Sequence, residues 1–137
     1  MRLVLLDTHV FIWYVNGNEE LTKPIRAAIN TAAQQNVLYL AAISLWEVSM
    51  LEKRRRIILE RACLAWLHDA IHATYIQIVP ITPAISVESC NLPGSFHEDP
   101  ADRLIVATAR VEGMHLFTRD SRILSYGQSK HIAVRKI

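Results

Sequence analysis

A chain of 137 residues falls in the size range of one domain. With 51% hydrophobic and 20% charged residues, its composition is globular and excludes a disordered chain. No apolar run has the length of a membrane span or a signal-peptide core, which points to a cytoplasmic protein, and Cys63 and Cys90, lacking a C-x-x-C spacing, read as reduced, partly buried thiols. The net charge of +2 is too small by itself to signal nucleic-acid binding. Its distribution is less even: Lys53-Arg54-Arg55-Arg56 with Arg61 forms one basic cluster, and Arg119, Arg122, Lys130, Arg135 and Lys136 make the C-terminal end basic. Such clusters read first as solvated helix ends and second as phosphate-binding surface.

Leu3-Val4-Leu5-Leu6 is a continuous apolar run that stops at Asp7-Thr8-His9, the pattern of a strand buried on both faces whose end meets a cleft. Val10, Phe11, Trp13 and Tyr14 recur at helical spacing, and Asn16-Gly17-Asn18 ends that short helix. Pro24 suits a first helical turn, and Ile25, Ala28, Ile29, Ala32 and Ala33 predict a second helix to about Gln35-Asn36. Val37 to Ala41 reads as the next buried strand. An amphipathic helix is predicted from Ser44 to about Arg55, its basic end at the negative pole of the helix dipole. Residues Leu59 to Ala73 contain another, with Ala62, Leu64, Ala65, Leu67 and Ile71 as core positions.

Tyr75 to Val79, closed by Pro80, predicts a third strand, and Pro83 to about Cys90 a short helix. Asn91-Leu92-Pro93-Gly94-Ser95-Phe96-His97 is the longest loop signal in the chain. Asp99-Pro100-Ala101-Asp102 opens a helix carrying Leu104, Ile105, Ala107, Thr108 and Val111 and stopping at Gly113. His115-Leu116-Phe117-Thr118 then reads as a fourth strand running into Arg119-Asp120, and Ile132 to Val134 as a fifth. Strands alternating with helices imply right-handed βαβ units, hence a parallel sheet of about five strands with helices on both faces, in one domain over residues 1–137. That topology brings Asp7, Glu47, Asp102 and Asp120 to one edge of the sheet, where open α/β sheets place their ligands.

Taken singly, each acid has a structural explanation. Asp7 and Asp120 suit helix caps, Ser44 with Glu47 matches a capping box, and Asp99 with Pro100 is an ordinary helix opening that leaves Asp102 in the first turn. Capping alone does not require an acid at each of these junctions. Carboxylates gathered at one cleft repel one another, and either proton uptake or a bound cation relieves the repulsion. An oxygen-only donor set favours a hard ion such as Mg²⁺, which supports metal-assisted phosphodiester hydrolysis. His9, His68, His72, His97, His115 and His131 form no H-E-x-x-H, so a zinc site lacks its pattern; His68 and His72 read as a helix surface. Phosphate-binding glycine loops and a serine nucleophile elbow are absent. A phosphatase of the haloacid dehalogenase type wants an Asp where His9 stands, and a receiver domain wants adjacent acids after the first strand and a Lys after the last.

Leu5-Leu6-Asp7-Thr8-His9, Ile43-Ser44-Leu45-Trp46-Glu47, Asp99-Pro100-Ala101-Asp102-Arg103-Leu104-Ile105-Val106-Ala107 and Leu116-Phe117-Thr118-Arg119-Asp120, in that order across nearly the whole chain, resemble the motifs of PIN-domain ribonucleases, specifically VapC-type toxins. The resemblance implies an Mg²⁺- or Mn²⁺-dependent endoribonuclease whose catalytic acids match Asp7, Glu47, Asp102 and Asp120. Asp7 and Asp102 are then the direct metal ligands, with Glu47 and Asp120 acting through water or a second ion. Asp99 is an additional acid that caps the helix or supports the ligands. Thr8 and Thr118 stand where their hydroxyls reach the acids or, as buried hydroxyls commonly do, the backbone. Arg103, Arg119 and Arg122 are candidates to hold RNA phosphates on the cleft rim. The resemblance also implies a VapB-like antitoxin partner, an RNA substrate, single-stranded or looped, and a homodimer, with Phe11, Trp13, Tyr14 and Trp46 as groove residues for the antitoxin segment or as core. Two other readings compete: a catalytically silent PIN-like binding module, and a metal-dependent phosphotransfer domain of the receiver or phosphatase kind.

Overall fold

The computed structural model describes residues 2–137. β1 (Val4–Leu6) runs up the centre of a five-stranded sheet in which every neighbouring pair is parallel. β2 (Leu38–Ala41) and β3 (Gln77–Val79) lie on one side of it, and β4 (His115–Thr118) and β5 (Ala133–Lys136) on the other, in the order β3-β2-β1-β4-β5. All three β1 residues are buried, because successive side chains feed opposite faces. Val4 and Leu6 join one core with Phe11, Ile29, Leu38, Leu40, Val48 and Trp66; Leu5 joins the other with Ile85, Ile105, Leu116 and Ile123.

The first face is covered by α1 (Thr8–Asn16), α2 (Lys23–Gln34), α3 (Ala42–Lys53) and α4 (Cys63–Thr74), and the second by α5 (Pro83–Cys90), α6 (Pro100–Glu112) and α7 (Ser121–Gln128). This is the α/β arrangement expected from the alternation of elements. Gly113 ends α6 in the left-handed conformation at φ 66°, donating its N–H to Ala109 O, as a glycine stop requires.

Two expectations are corrected. α3 begins at Ala42, not Ser44, and its N-cap Ala41 offers no side chain, so Ser44 and Glu47 are not a capping box. Ser44 is fully buried inside the helix instead. In α4, which starts at Cys63, the buried positions are Trp66 and Ala70; Ala62, Leu64 and Ala65 face solvent, while Leu67 and Ile71 are partly buried. Trp66 sets the face: its ring packs edge-on against Phe11 at 5.7 Å, and its indole N–H reaches Asn16 Oδ1. Phe11 is core, whereas Trp46 is exposed.

Candidate metal centre

Parallel connections deliver the ends of β1, β2 and β4 to one edge, and a cleft of about 490 Å³ opens there. Asp7, Glu47, Asp99, Asp102 and Asp120 all line it, together with Arg54, Arg56, Arg119 and Arg122. Three of the acids are held by their local backbone. Asp7 caps α1, its Oδ1 accepting the Thr8 N–H at 2.8 Å, and its Oδ2 accepts the Thr118 hydroxyl at 2.6 Å. Asp120 caps α7, taking the N–H groups of Arg122 at 2.8 Å and Ile123 at 3.2 Å. Asp99 caps α6 through the Asp102 N–H at 3.2 Å. Capping and cleft placement therefore coexist in the same side chains.

Two threonines tie the acids together. Thr118, fully buried, donates to the Asp7 carboxylate and accepts the backbone N–H of Asp120 at 3.0 Å, so it ties one acid to the start of the other's helix. Thr8 Oγ1 lies 2.5 Å from Glu47 Oε1 and 2.8 Å from Ser44 Oγ. One hydroxyl hydrogen serves one acceptor, and the carboxylate can only accept, so Thr8 donates to Glu47 and Ser44 donates to Thr8. Both threonines thus bond the acids.

The carboxylate oxygens of Glu47, Asp99 and Asp102 lie within 4.8 Å of one another. Asp7, whose two oxygens each accept one bond and keep a second lone pair, is outside that trio although it lines the same cleft. Asp99 is inside it. Burial pushes the Asp102 carboxyl up to about 8, reinforced by repulsion from Asp7, Asp99, Asp120 and Glu47. Asp7 is raised by burial against the lowering effect of its Thr118 and Thr8 bonds. Glu47 is raised chiefly by burial, offset by Thr8 and augmented by Asp7 and Asp99.

This donor set fits a hard divalent cation. It is all oxygen, and octahedral ligands about 2.1 Å from Mg²⁺ sit roughly 3 to 4 Å apart, so the 4.8 Å trio needs only small rotations to converge. Without a cation the repulsion is relieved by proton uptake, which is what the raised Asp102 expresses.

His97, which the sequence did not assign to the site, joins it beside the expected Arg122 and Arg119. His97 accepts the Asp99 N–H on Nδ1 at 3.3 Å, which leaves its ring proton on Nε2. That buried atom lies 3.1 Å from Asp102 Oδ2 but off the line of a hydrogen bond, and is otherwise unpartnered. Burial and the Arg122 charge hold the His97 pKa down. Arg122 Nη2 sits 3.6 Å from Asp102 and 3.5 Å from Asp120. Arg119 pairs with Glu20 and lies over the Trp13 ring at 4.9 Å. His9 stacks on the same Trp13 and lines the cleft.

Arg103 does not meet its expectation as a phosphate ligand. Its guanidinium is turned into the 91–97 loop, donating to Ser89 O at 2.8 Å, Phe96 O at 3.0 Å and His97 O at 3.1 Å. Those carbonyls take its Nε and Nη1 donors, and Arg103 is absent from the cleft lining. It holds the loop that presents His97.

The family model of the PIN domain matches residues 4–128, the stretch that carries β1, all five cleft acids and both threonines. The chain belongs to this family. It is 38% identical over 134 residues to Ribonuclease VapC22 of Mycobacterium tuberculosis strain ATCC 25618 / H37Rv, covering 98% of this chain and 99% of that protein. Among solved structures it is similar in fold to the DNA-bound VapBC of Salmonella typhimurium, with TM-score 0.72, 16% identity and coverage of 99% and 98% of the two chains. VapBC2 of Rickettsia felis bound to a promoter DNA fragment gives 0.70 at 14% identity, covering 97% of each. Among the described residues no helix is long and apolar enough to cross a membrane.

Proposed function

We propose that the chain is a metal-dependent endoribonuclease that acts as the toxin of a toxin–antitoxin pair and works in the cytoplasm. The observation that carries this reading is the convergence of five carboxylates in one arginine-flanked cleft on a chain 38% identical to a named ribonuclease. Asp102 and Asp7 are the principal metal ligands in this reading. Glu47, Asp99 and Asp120 complete the anionic field and receive metal waters. Mg²⁺ or Mn²⁺ bound there would supply Lewis-acid polarisation of the scissile phosphate and a more acidic water.

The chain's own residues do the positioning. Thr118 and the Thr8 N–H hold the Asp7 carboxylate in one orientation, and Thr8 does the same for Glu47. The raised Asp102 carboxyl carries its proton until a cation displaces it, so the site exchanges a proton for a metal. Arg122 lies beside Asp102 and Asp120, moderating their repulsion and offering donors to an incoming phosphate. That the structural neighbours are VapBC complexes supports a VapB-like antitoxin as partner, and we assign a homodimer to the free toxin.

Purified protein with Mn²⁺ or Mg²⁺ is expected to cut single-stranded RNA, and EDTA or Asp7→Asn to abolish cutting. Cleavage that survives both treatments would overturn the assignment. Metal-dependent protein that cuts no RNA would favour the silent binding module.

A further inference from the structure

We infer that the Arg54-Arg55-Arg56 turn forms the second phosphate-binding wall of the cleft, with Arg54 and Arg56 gripping the RNA backbone across the acids from Arg119 and Arg122. The inference rests on the ribonuclease reading for its substrate class and adds the residues that hold it.

Charge availability is the first observation. Most of the arginines are already engaged: Arg2 with His115, Arg26 with the Tyr14 and Asn18 carbonyls, and Arg61, Arg110 and Arg119 with Asp69, Glu88 and Glu20. Arg103 holds its loop, Arg122 pairs with Asp102 and Asp120, and Arg135 covers the Phe117 ring. Among the described residues, Arg54, Arg55 and Arg56 are the arginines whose side chains have no hydrogen-bond, ion-pair or ring partner. All three are exposed, and two of them, Arg54 and Arg56, line the acid cleft. A free guanidinium facing a cleft is a donor fork waiting for an oxyanion.

Geometry supplies the second. α3 ends in a Schellman motif: the Arg56 N–H reaches Leu51 O at 2.9 Å and the Arg55 N–H reaches Glu52 O at 3.0 Å. The left-handed position of that motif, usually glycine, is Arg55 at φ 58°. The reversal at Arg55 lets Arg54 and Arg56 both face the cleft while Arg55 does not line it. α3 follows β2, whereas Arg119 and Arg122 follow β4, and those strands lie on opposite sides of β1. Cations therefore enter from both sides of the anionic centre.

The balance of the cleft agrees. Five carboxylates face four arginines there. The arginines nearly balance the acids even before a divalent cation binds, and a cation would make the cleft net positive, which favours a polyanion crossing the site. The lining taken as a whole is chiefly charged, which suits a polyanion, although Met50 and Leu51 beside the two arginines are apolar.

The test measures binding of a fluorescein-labelled single-stranded RNA in EDTA as a function of salt, for wild type, Arg54→Gln/Arg56→Gln, Arg54→Lys/Arg56→Lys and Arg55→Gln, each checked for an unchanged Tm. Each phosphate contact to single-stranded nucleic acid contributes about 0.7 to the slope of log K against log salt, so the double Gln variant is expected to lose about 1.4 from the slope and to bind more weakly. The double Lys variant is expected to restore the slope, and Arg55→Gln to leave it unchanged. An unaltered slope in the double Gln variant overturns the inference, as does RNA binding left intact while antitoxin binding falls. Cleavage in Mn²⁺, run in parallel, separates this from the nuclease reading: wild type that cuts RNA while the double Gln variant binds it normally refutes only the wall. Wild type that never cuts, with binding still lost in the variant, refutes only the nuclease.

Discussion

Replacing Asp102 by Asn removes the charge that the fold accommodates least well, and its effect on stability follows from the site. The carboxyl rises from 3.8 to about 8, first through burial and then through Asp7, Asp99, Asp120 and Glu47. Between those values the folded state holds a proton that the unfolded state has released, so metal-free stability falls as pH rises across that window. A rise of about 4 units at ~1.36 kcal/mol each corresponds to about 5 to 6 kcal/mol over the whole window, a large share of a domain's total. About 4 kcal/mol of that lies between pH ~5 and pH ~9. Asn cannot ionise and escapes this loss. Urea unfolding in EDTA, followed by circular dichroism, is expected to show Asp102→Asn gaining about 4 kcal/mol on wild type between pH ~5 and pH ~9. Asp7 and Glu47 are shifted in the same direction in both proteins, so they largely cancel from the difference. A stability difference that stays constant between the two conditions would refute the crowded-carboxylate account.

The same carboxyl predicts proton release on metal binding. With a pKa of about 8, Asp102 is about nine-tenths protonated at pH ~7, so titration with Mn²⁺ in calorimetry buffers of different ionisation heat is expected to expel about 0.9 proton, falling to about 0.1 by pH ~9; no release at pH ~7 would contradict it. Arg103→Ala is expected to lower stability by about 2 to 4 kcal/mol and to speed amide exchange across residues 91–97, because the Phe96 and His97 carbonyls of the loop and the Ser89 carbonyl of α5 lose a charged donor. Weaker RNA binding at unchanged stability would instead return Arg103 to the cleft rim.

The legible parts of the sequence were those governed by a short repeat or a strong punctuation mark. The run Leu3 to Leu6 reads as doubly buried because nothing polar interrupts it, and α5 runs from Pro83 to Cys90 as predicted because Pro and the following Asn mark both ends. Parallel topology then gathers the acids at one edge, since βαβ handedness leaves little choice. What escaped depends on contacts between distant segments. Trp66 is the core residue of α4 because Phe11 and Asn16, more than forty-nine positions earlier, receive its ring and its N–H, while Leu64 is left exposed. Arg103 looks like a rim cation beside Asp102 in sequence, yet the 91–97 loop folds its carbonyls onto the guanidinium. Ser44 and Glu47 have the spacing of a capping box, but the helix begins two residues earlier and the pair is recruited by Thr8.

Asp99 shows why the choice between cap and ligand was posed too narrowly. A carboxylate offers two oxygens and about four lone-pair sites, so one can orient the group on a helix N-terminus while the rest face the cleft. Asp99 caps α6 through Oδ2 and still belongs to the converging trio; Asp120 caps α7 and still lines the cleft beside Arg122. Capping is then the means by which the fold aims these acids, since a carboxylate tied to backbone N–H groups loses its rotamer freedom before any cation arrives. Ser or Asn would cap equally well and bring no charge. Acids at the entrances of α1, α6 and α7 are informative for that reason: the caps explain their position, and only the shared cleft explains their charge.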